Sequence, residues 1–469
     1  MRWGSSPWSL SLSLSLGGAL LLLGQLGVVL ADIPIEATNK ESLKEAGKTI
    51  TGPMWEFYLA NQTEGIPGKL TDTWYVAGAM FMTMIQFWHV SGYNEHNSVV
   101  SHDLMFQAGR NYDYFDSNYS QWLGNDDQMF WGLAAITASE TGFPEVSNKP
   151  TWTSLARAVF TMQVNRWDER ACDGGITWQI HPWQAGYTLR NSISNGGLFQ
   201  LAARLGRFTN NQTYFDWAEK IWDWSAASPL IRTSDWRVAD STSGSNDCID
   251  AGLMQWSYNY GTYIAGAAYM YNATGDAKWA NRTEGLLDHL LGYFFPSDAS
   301  KGYNGVVFSD VACEPLHTCD RNMLNFKGWS SMWIAMAAIL VPELRDKVMP
   351  KLQGSAAAIG RSCDGSSDGK NNLCGSRWYQ DTWDGIQGLE VQQAALGGIT
   401  ANLMLLNDAA AKTIDSNPNA KEQFLDTYND DTPDALPHIT TGDRVGSWIL
   451  TVLWGGGIIA AGWWLVKQQ

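Results

Sequence analysis

The chain has 469 residues, 25 of them tryptophan, and a net charge of −16. So acidic a chain repels nucleic acid and polyuronates, which disfavours both as partners. Its seven histidines and six cysteines show no metal-ligand spacing, and it holds no Gly-x-Ser-x-Gly elbow, Walker loop or dinucleotide fingerprint, so neither metal nor cofactor is expected.

Residues 1–31 read as a secretory signal. Arg2 supplies the positive start, an apolar core runs from about Leu16 to Leu30, and Val28-Val29-Leu30-Ala31 offers a cleavage point before Asp32. Five Asn-x-Ser/Thr sequons, at Asn61, Asn118, Asn211, Asn272 and Asn281, and an even number of cysteines fit export to an oxidising compartment. Cys313 and Cys319 are near neighbours, as are Cys363 and Cys374, which leaves Cys172 with Cys248 as one pairing among many.

From residue 32 to about 410 the pattern is helix after helix with no linker. Apolar residues recur at three and four, as in Leu155, Val159 and Met162. The expected helices are 38–60, 73–92, 98–116, 126–141, 150–168, 192–206, 211–226, 251–273, 276–294, 320–340, 342–360 and 386–410. Every second one is apolar nearly all round, as an inner helix should be; the fifth and ninth are polar on one face. Twelve helices of alternating character predict an all-α fold, an (α/α)6 barrel of six helical hairpins, with an irregular bundle as one alternative and an open solenoid, disfavoured by the lack of a strict repeat, as the other.

In that barrel the starts of the inner helices gather at one mouth. They carry Asp72-Thr73-Trp74, Asn125-Asp126-Asp127, Asn191 to Asn195, Asp247 to Asp250, Arg321-Asn322 and Gln387. The longest connections, roughly 169–191, 227–250, 295–319 and 361–385, enter the same mouth with all six cysteines and Trp178, His181, Trp183, Trp236, Trp378, Trp383 and Asp384. A tryptophan-rich rim stapled by disulfides over a polar floor is a cleft for an oligosaccharide.

Asp126 and Asp127 are the expected chemistry. Glycosidic-bond cleavage needs one carboxyl to protonate the leaving oxygen and one to meet the charge that develops on the sugar. Neighbouring residues of a helix point about 100° apart, so two such groups can approach one bond from different sides. They cannot lie far apart, which suits a retaining mechanism. Repulsion and burial would keep one protonated. The competing reading is structural, because Asn and Asp are favoured in the first turn of any helix. Trp122, Phe130 and Trp131 flank the pair.

After the last helix comes a polar stretch, 411–447 by our division, and then the apolar run Trp448 to Val466, closed by Lys467-Gln468-Gln469. Small polar residue, spacer and terminal apolar tail form the pattern of a GPI-attachment signal, with Thr440-Thr441-Gly442 as one candidate site. The alternative is a true membrane span.

Asn125-Asp126-Asp127-Gln128 with Trp131-Gly132-Leu133-Ala134 resembles the catalytic segment of glycoside hydrolase family 76. So do Ser194-Asn195-Gly196, Trp256-Ser257-Tyr258-Asn259-Tyr260-Gly261 and Phe326-Lys327-Gly328. With its two ends, the chain is similar to the fungal, GPI-anchored cell-wall branch of that family. The resemblance implies a retaining endo-α-1,6-mannanase site with Asp126 as nucleophile and Asp127 as acid/base. It implies α-mannan or the GPI-core glycan as donor, and transfer to β-glucan or another wall glycan. Localisation would be the outer face of the plasma membrane or the wall. Helix-start position together with the resemblance adds Asn195, Asp250, Tyr258, Asn259 and Gln392 as substrate-binding candidates, and the rim adds Trp122 and Trp183. Tyr260 stands where bacterial members would carry Gln, which bears on the neighbouring subsites. A different class of function, a non-catalytic mannan-binding wall protein on an enzyme-like barrel, is the alternative.

Overall fold

The computed structural model describes residues 32–71, 73–115 and 121–421. The signal segment, Asp72, the Asn118 sequon and the attachment region with its apolar tail lie outside the described residues. Among the described residues no helix is long and apolar enough to cross a membrane.

Twelve α-helices follow one another: α1 (Lys40–Asn61), α2 (Trp74–Ser91), α3 (Asn97–Gln107), α4 (Asn125–Thr141), α5 (Trp152–Val164), α6 (Ser192–Thr209), α7 (Gln212–Ala227), α8 (Ser257–Thr274), α9 (Ala277–Tyr293), α10 (Phe326–Leu340), α11 (Arg345–Arg361) and α12 (Leu389–Asn407). The even-numbered helices close a ring, each packing on the next, with α12 returning to α2. The odd-numbered ones lie outside it: α3 on α2, α5 on α4, α7 on α6, α9 on α8, α11 on α12 and α10, and α1 on α12. This is the all-α (α/α)6 barrel expected from the alternation.

Burial explains the division. Every residue of α10 is buried, whereas α9 buries one stripe of Trp279, Thr283, Leu286, Leu287 and Leu290. A helix covered on all sides has no solvent face for charge, so its sequence loses amphipathic contrast. Small residues let the inner ring tighten: a Cβ at Gly328 would stand 2.5 Å from the Ala394 Cα, so α10 and α12 touch backbone to backbone.

The helices end where glycine allows a left-handed residue, as at Gly92 (φ 77°) after α2 and Gly142 (φ 74°) after α4. Some starts differ from expectation. α8 begins at Ser257, not 251, because the Asp310 carboxylate accepts both Ser257 N–H and Ser257 Oγ–H at 2.9 Å and fixes the first turn there. Residues 252–254 stay in an exposed loop bridged to Thr242 through Ala251, and Gln255 and Trp256 turn inward. α3 stops at Gln107, short of 116, and α10 starts at Phe326 after one 3-10 turn.

Six short strands decorate the mouth: β1 (Leu189–Asn191) with β4 (Ser241–Ser243), β2 (Ile231–Arg232) with β3 (Arg237–Val238), and β5 (Gly365–Ser367) with β6 (Lys370–Leu373), all antiparallel. The disulfides are Cys172–Cys248, Cys313–Cys319 and Cys363–Cys374. All three lie in the connections between α-helices and none within an α-helix.

Candidate active site

The first turn of α4 is bolted to the connection that follows α5. Asn125 N–H donates to the Trp178 carbonyl and Asn125 Nδ2 to the Thr177 carbonyl, both at 2.8 Å. Arg166 Nη1 reaches Asn125 Oδ1 at 2.9 Å and Gln128 Oε1 at 2.6 Å, and Gln163 Nε2 donates to the Asn125 carbonyl at 2.6 Å. With Asn125 and Gln128 buried in this lattice, the two residues between them turn to the open side.

Asp127 reaches back as a helix cap, its Oδ2 accepting Gly124 N–H at 2.7 Å. Asp126 Oδ1 accepts Asp127 N–H at 3.0 Å, and its Oδ2 accepts Asn191 Nδ2 at 3.4 Å. Gly124 leaves room for the pair: a Cβ there would stand 2.3 Å from Asp126 Oδ1 and push that carboxyl aside. Both carboxyls open into a cavity of about 690 Å³, within the usual range for a small-molecule site. They are neither sealed off nor turned to bulk solvent: each keeps part of its surface accessible while protein surrounds the rest.

That setting raises both groups. Burial pushes Asp127 up to about 6. Burial, and then the charge of Asp127, push Asp126 well above the usual carboxylate range against the bonds it accepts from Asp127 N–H and Asn191. Two adjacent carboxyls, both raised, favour sharing one proton over ionising together. For two groups this strongly coupled, the two titration steps belong to the pair.

The walls are aromatic. Tyr258 and Phe326 stack at 3.7 Å, 7° from parallel, and Phe130 meets Trp329 at 4.5 Å. Tyr75 packs against Phe130 and donates its hydroxyl to Asn322 Oδ1 at 2.7 Å. Its phenol is raised by burial and then by the charges of Asp127 and Asp126, which sets it beside the pair. Trp122, 75% exposed, and Trp178 stand at the entrance, and the polar wall holds Asn191, Asp240 and Ser241. Lys69 is the one cation among the described lining residues.

Of the sequence candidates, Asp126, Asp127, Tyr258 and Trp122 meet in this cavity; the others do not. Asn195 is fully buried and braces the neighbouring loop: its Oδ1 accepts Ile176 N–H at 2.9 Å and its Nδ2 donates to the Ile176 and Asn191 carbonyls at 3.0 Å. Gln392 accepts Cys374 N–H at 2.6 Å and donates to the Asn372 carbonyl, holding the Cys363–Cys374 loop. Asn259 is buried and donates to Asp240 Oδ1 at 3.2 Å. Asp250 is exposed on the rim loop and accepts from Asn246. Trp183 is 65% exposed and stacks on His181 at 4.4 Å, outside the cavity lining. Asn195 and Gln392 face loops because their backbone partners need both a donor and an acceptor; Asn259 serves the Asp240 carboxylate instead. Tyr260 is buried too, and its hydroxyl accepts Val238 N–H at 2.9 Å, so it shapes the cavity only through the loop it holds. Sequence reasoning placed Asn191 at the mouth without naming it a site residue, and missed Asp240, Tyr75 and Trp329. Tyr75 could have been found, since it follows Trp74 at an inner-helix start; Asp240 lies in an irregular connection with no periodic signal. Among the described residues no group of three or more His, Cys, Asp or Glu side chains converges to hold a metal.

Residues 42–414 match glycosyl hydrolase family 76. Mannan endo-1,6-alpha-mannosidase DCW1 of Saccharomyces cerevisiae is 36% identical over 457 residues, 95% of this chain and 99% of the relative. The crystal structure of Dfg5 from Chaetomium thermophilum in complex with glucosamine is 35% identical, with a TM-score of 0.75 over 82% of this chain and 95% of that one. An inactive variant of the alpha-1,6-mannanase GH76A from Salegentibacter in complex with alpha-1,6-mannotriose shares the fold, with a TM-score of 0.62 at 18% identity over 77% of this chain and 99% of that one.

Proposed function

The chain belongs to glycosyl hydrolase family 76, and from that premise we propose that it cleaves internal α-1,6-mannosidic bonds with retention, Asp126 acting as nucleophile and Asp127 as acid and then base. The observation that carries the reading is the pair itself: two carboxyls, both raised by burial, side by side in an aromatic-walled cavity. The 36% identical relative is named for this activity.

In the first step the Asp126 carboxylate attacks the anomeric carbon, the glycosidic bond breaks, and Asp127 gives its proton to the departing oxygen. Positive charge growing on the anomeric carbon favours the negative charge on Asp126, which draws the shared proton to Asp127. In the second step an acceptor hydroxyl attacks the same carbon, Asp127 takes its proton, and Asp126 leaves. Water as acceptor gives hydrolysis; a sugar hydroxyl gives transfer. Aromatic walls that seat an acceptor and exclude water favour transfer.

The sequence ends extend the proposal. An exported chain held at the outer membrane face by a GPI anchor would meet α-mannan or the GPI-core glycan as donor, and β-glucan or another wall glycan as acceptor. The test is incubation with α-1,6-mannotetraose, with and without added acceptor oligosaccharide, followed by mass spectrometry of products and protein. Shorter mannosides, acceptor adducts and a mannosyl adduct on Asp126 are expected. Binding with no cleavage and no adduct would instead identify a lectin on an enzyme-like barrel and end the proposal.

A further inference from the structure

We propose that Asp240 selects the sugar that this site accepts, its inward carboxylate oxygen taking hydrogen bonds from hydroxyls of a ring adjoining the cleaved bond. The inference rests on the reading of the cavity as a glycan site.

Asp240 is held from several sides. Ser192 N–H, at the start of α6, donates to its carbonyl at 2.8 Å, and its own N–H donates to the Met254 carbonyl at 3.1 Å. Asn259, fully buried in the first turn of α8, donates to Oδ1 at 3.2 Å. Two residues upstream, Val238 is tied to the Tyr260 hydroxyl, and Tyr260 stacks on His289 of α9 at 5.2 Å. Elements α6, α8 and α9 thus fix one carboxylate that lines the cavity.

The other oxygen separates Asp240 from the structural aspartates. Asp310 uses both oxygens on Ser257. Asp384 uses both, Oδ2 on Ser376 N–H, Ser376 Oγ–H and Arg377 N–H, and Oδ1 on Ile386 N–H. Asp240 has one oxygen braced by Asn259 and no partner for the other among the described residues. A fixed, half-dry acceptor in a concave wall forms strong charge-assisted bonds with hydroxyl donors. It cannot donate, so it discriminates against rings whose hydroxyl has been replaced by an acceptor group or an anion.

Its place relative to the reacting pair follows from shared partners. Asn191 donates to Asp126, and the next residue, Ser192, donates to Asp240. In the β1–β4 ladder Asn191 lies opposite Ser241, the neighbour of Asp240. The Tyr258 phenol, raised first by burial, feels the charges of Asp240 and then Asp126 and so lies near both. A ring seated over Asp126 brings its neighbour along this wall.

The test uses the full chain and its Asp240→Asn and Asp240→Ser variants. Binding of α-1,6-mannobiose and its monodeoxy analogues is measured by calorimetry, and turnover on mannotetraose is followed in parallel. Loss of a charged hydrogen bond should weaken mannobiose about 10- to 100-fold in both variants. KM should rise with kcat held within about threefold. One deoxy analogue should bind the parent chain as weakly as the variants bind mannobiose, and should lose nothing further in the variants. Equal loss across all analogues, with either variant folded, would make Asp240 a structural residue and overturn the inference. A fall in kcat with one limb of the pH profile removed would make it a proton-transfer group and overturn it equally. If no mannoside binds any of the three proteins, the substrate reading fails instead. The same deoxy series built on glucose and glucosamine then decides for Asp240 by the same pattern of coupled loss.

Discussion

The first turn of α4 and the first turns of α6, α8 and α12 hold equivalent places in the inner ring, yet they do opposite things. α4 offers two carboxylates to the cavity. The others offer amides: Asn195 and Gln392 turn away and hold loop backbone, and Asn259 braces the Asp240 carboxylate. An amide both donates and accepts, so it can satisfy a buried peptide group that would otherwise lack a partner. A carboxylate only accepts, and burying it without a cation is costly. Side-chain chemistry, rather than position in the ring, therefore decides which helix start faces the cavity and which one braces.

The largest test of that contrast is to remove the carboxylates. Asp126→Asn and Asp127→Asn should each lower mannan turnover by at least about 10³-fold, with an unchanged or higher Tm because a buried charge gives way to a neutral amide. Undiminished turnover in either would break the comparison. Displacing the pair without touching it comes next. Gly124→Ala drives a Cβ into Asp126 Oδ1 and should lower kcat/KM about 10²-fold, readable in a steady-state assay.

The third test is pH. One proton must be lost from the pair for attack, so kcat/KM should fall about tenfold per unit as pH drops below about 6, the position of Asp127. Stability should run the other way. Asp127, at about 6, and Asp310 and Glu145, at about 7, are raised above their unfolded values. The folded chain therefore keeps protons that the unfolded chain releases. The stability these groups contribute is complete below the unfolded values and is lost as pH rises through about 7. Tm at about pH 5 should exceed Tm at about pH 7.5; calorimetric scans giving the reverse order would contradict this.

Smaller effects sharpen the bracing half. Asn195→Asp removes the donor that serves the Ile176 and Asn191 carbonyls and should cost about 1–3 kcal/mol of stability in a denaturant titration. Its activity loss should be far smaller than that of Asp126→Asn. Asp250→Asn and Trp183→Ala, out on the rim, should leave KM within about twofold; a larger change for Trp183→Ala would mean that the glycan reaches beyond the cavity.

The ring was legible because buried and half-buried helices differ in composition, and α4 stood out because two acidic residues followed Asn125 among aromatics. The bracing amides were not separable from binding residues, since Asn at a helix start fits a cap, a brace or a subsite equally. Asp240 escaped notice for another reason. Its position depends on pairing between two connections fifty residues apart, β1 and β4, and no local periodicity encodes such a contact.

Closure of the inner ring constrains the order of assembly. α1 has its main contacts with α12, and α12 is also the helix that joins α2, with Asn407 donating to the Val90 carbonyl at 2.8 Å. α4, α6, α8 and α10 can each dock on a predecessor as the chain emerges. The first helix has to wait for the last before its apolar stripe is covered, so the slowest contacts are those that span the whole domain. During that interval the stripe of Leu43, Ile50 and Met54 is exposed to whatever chaperones share the compartment.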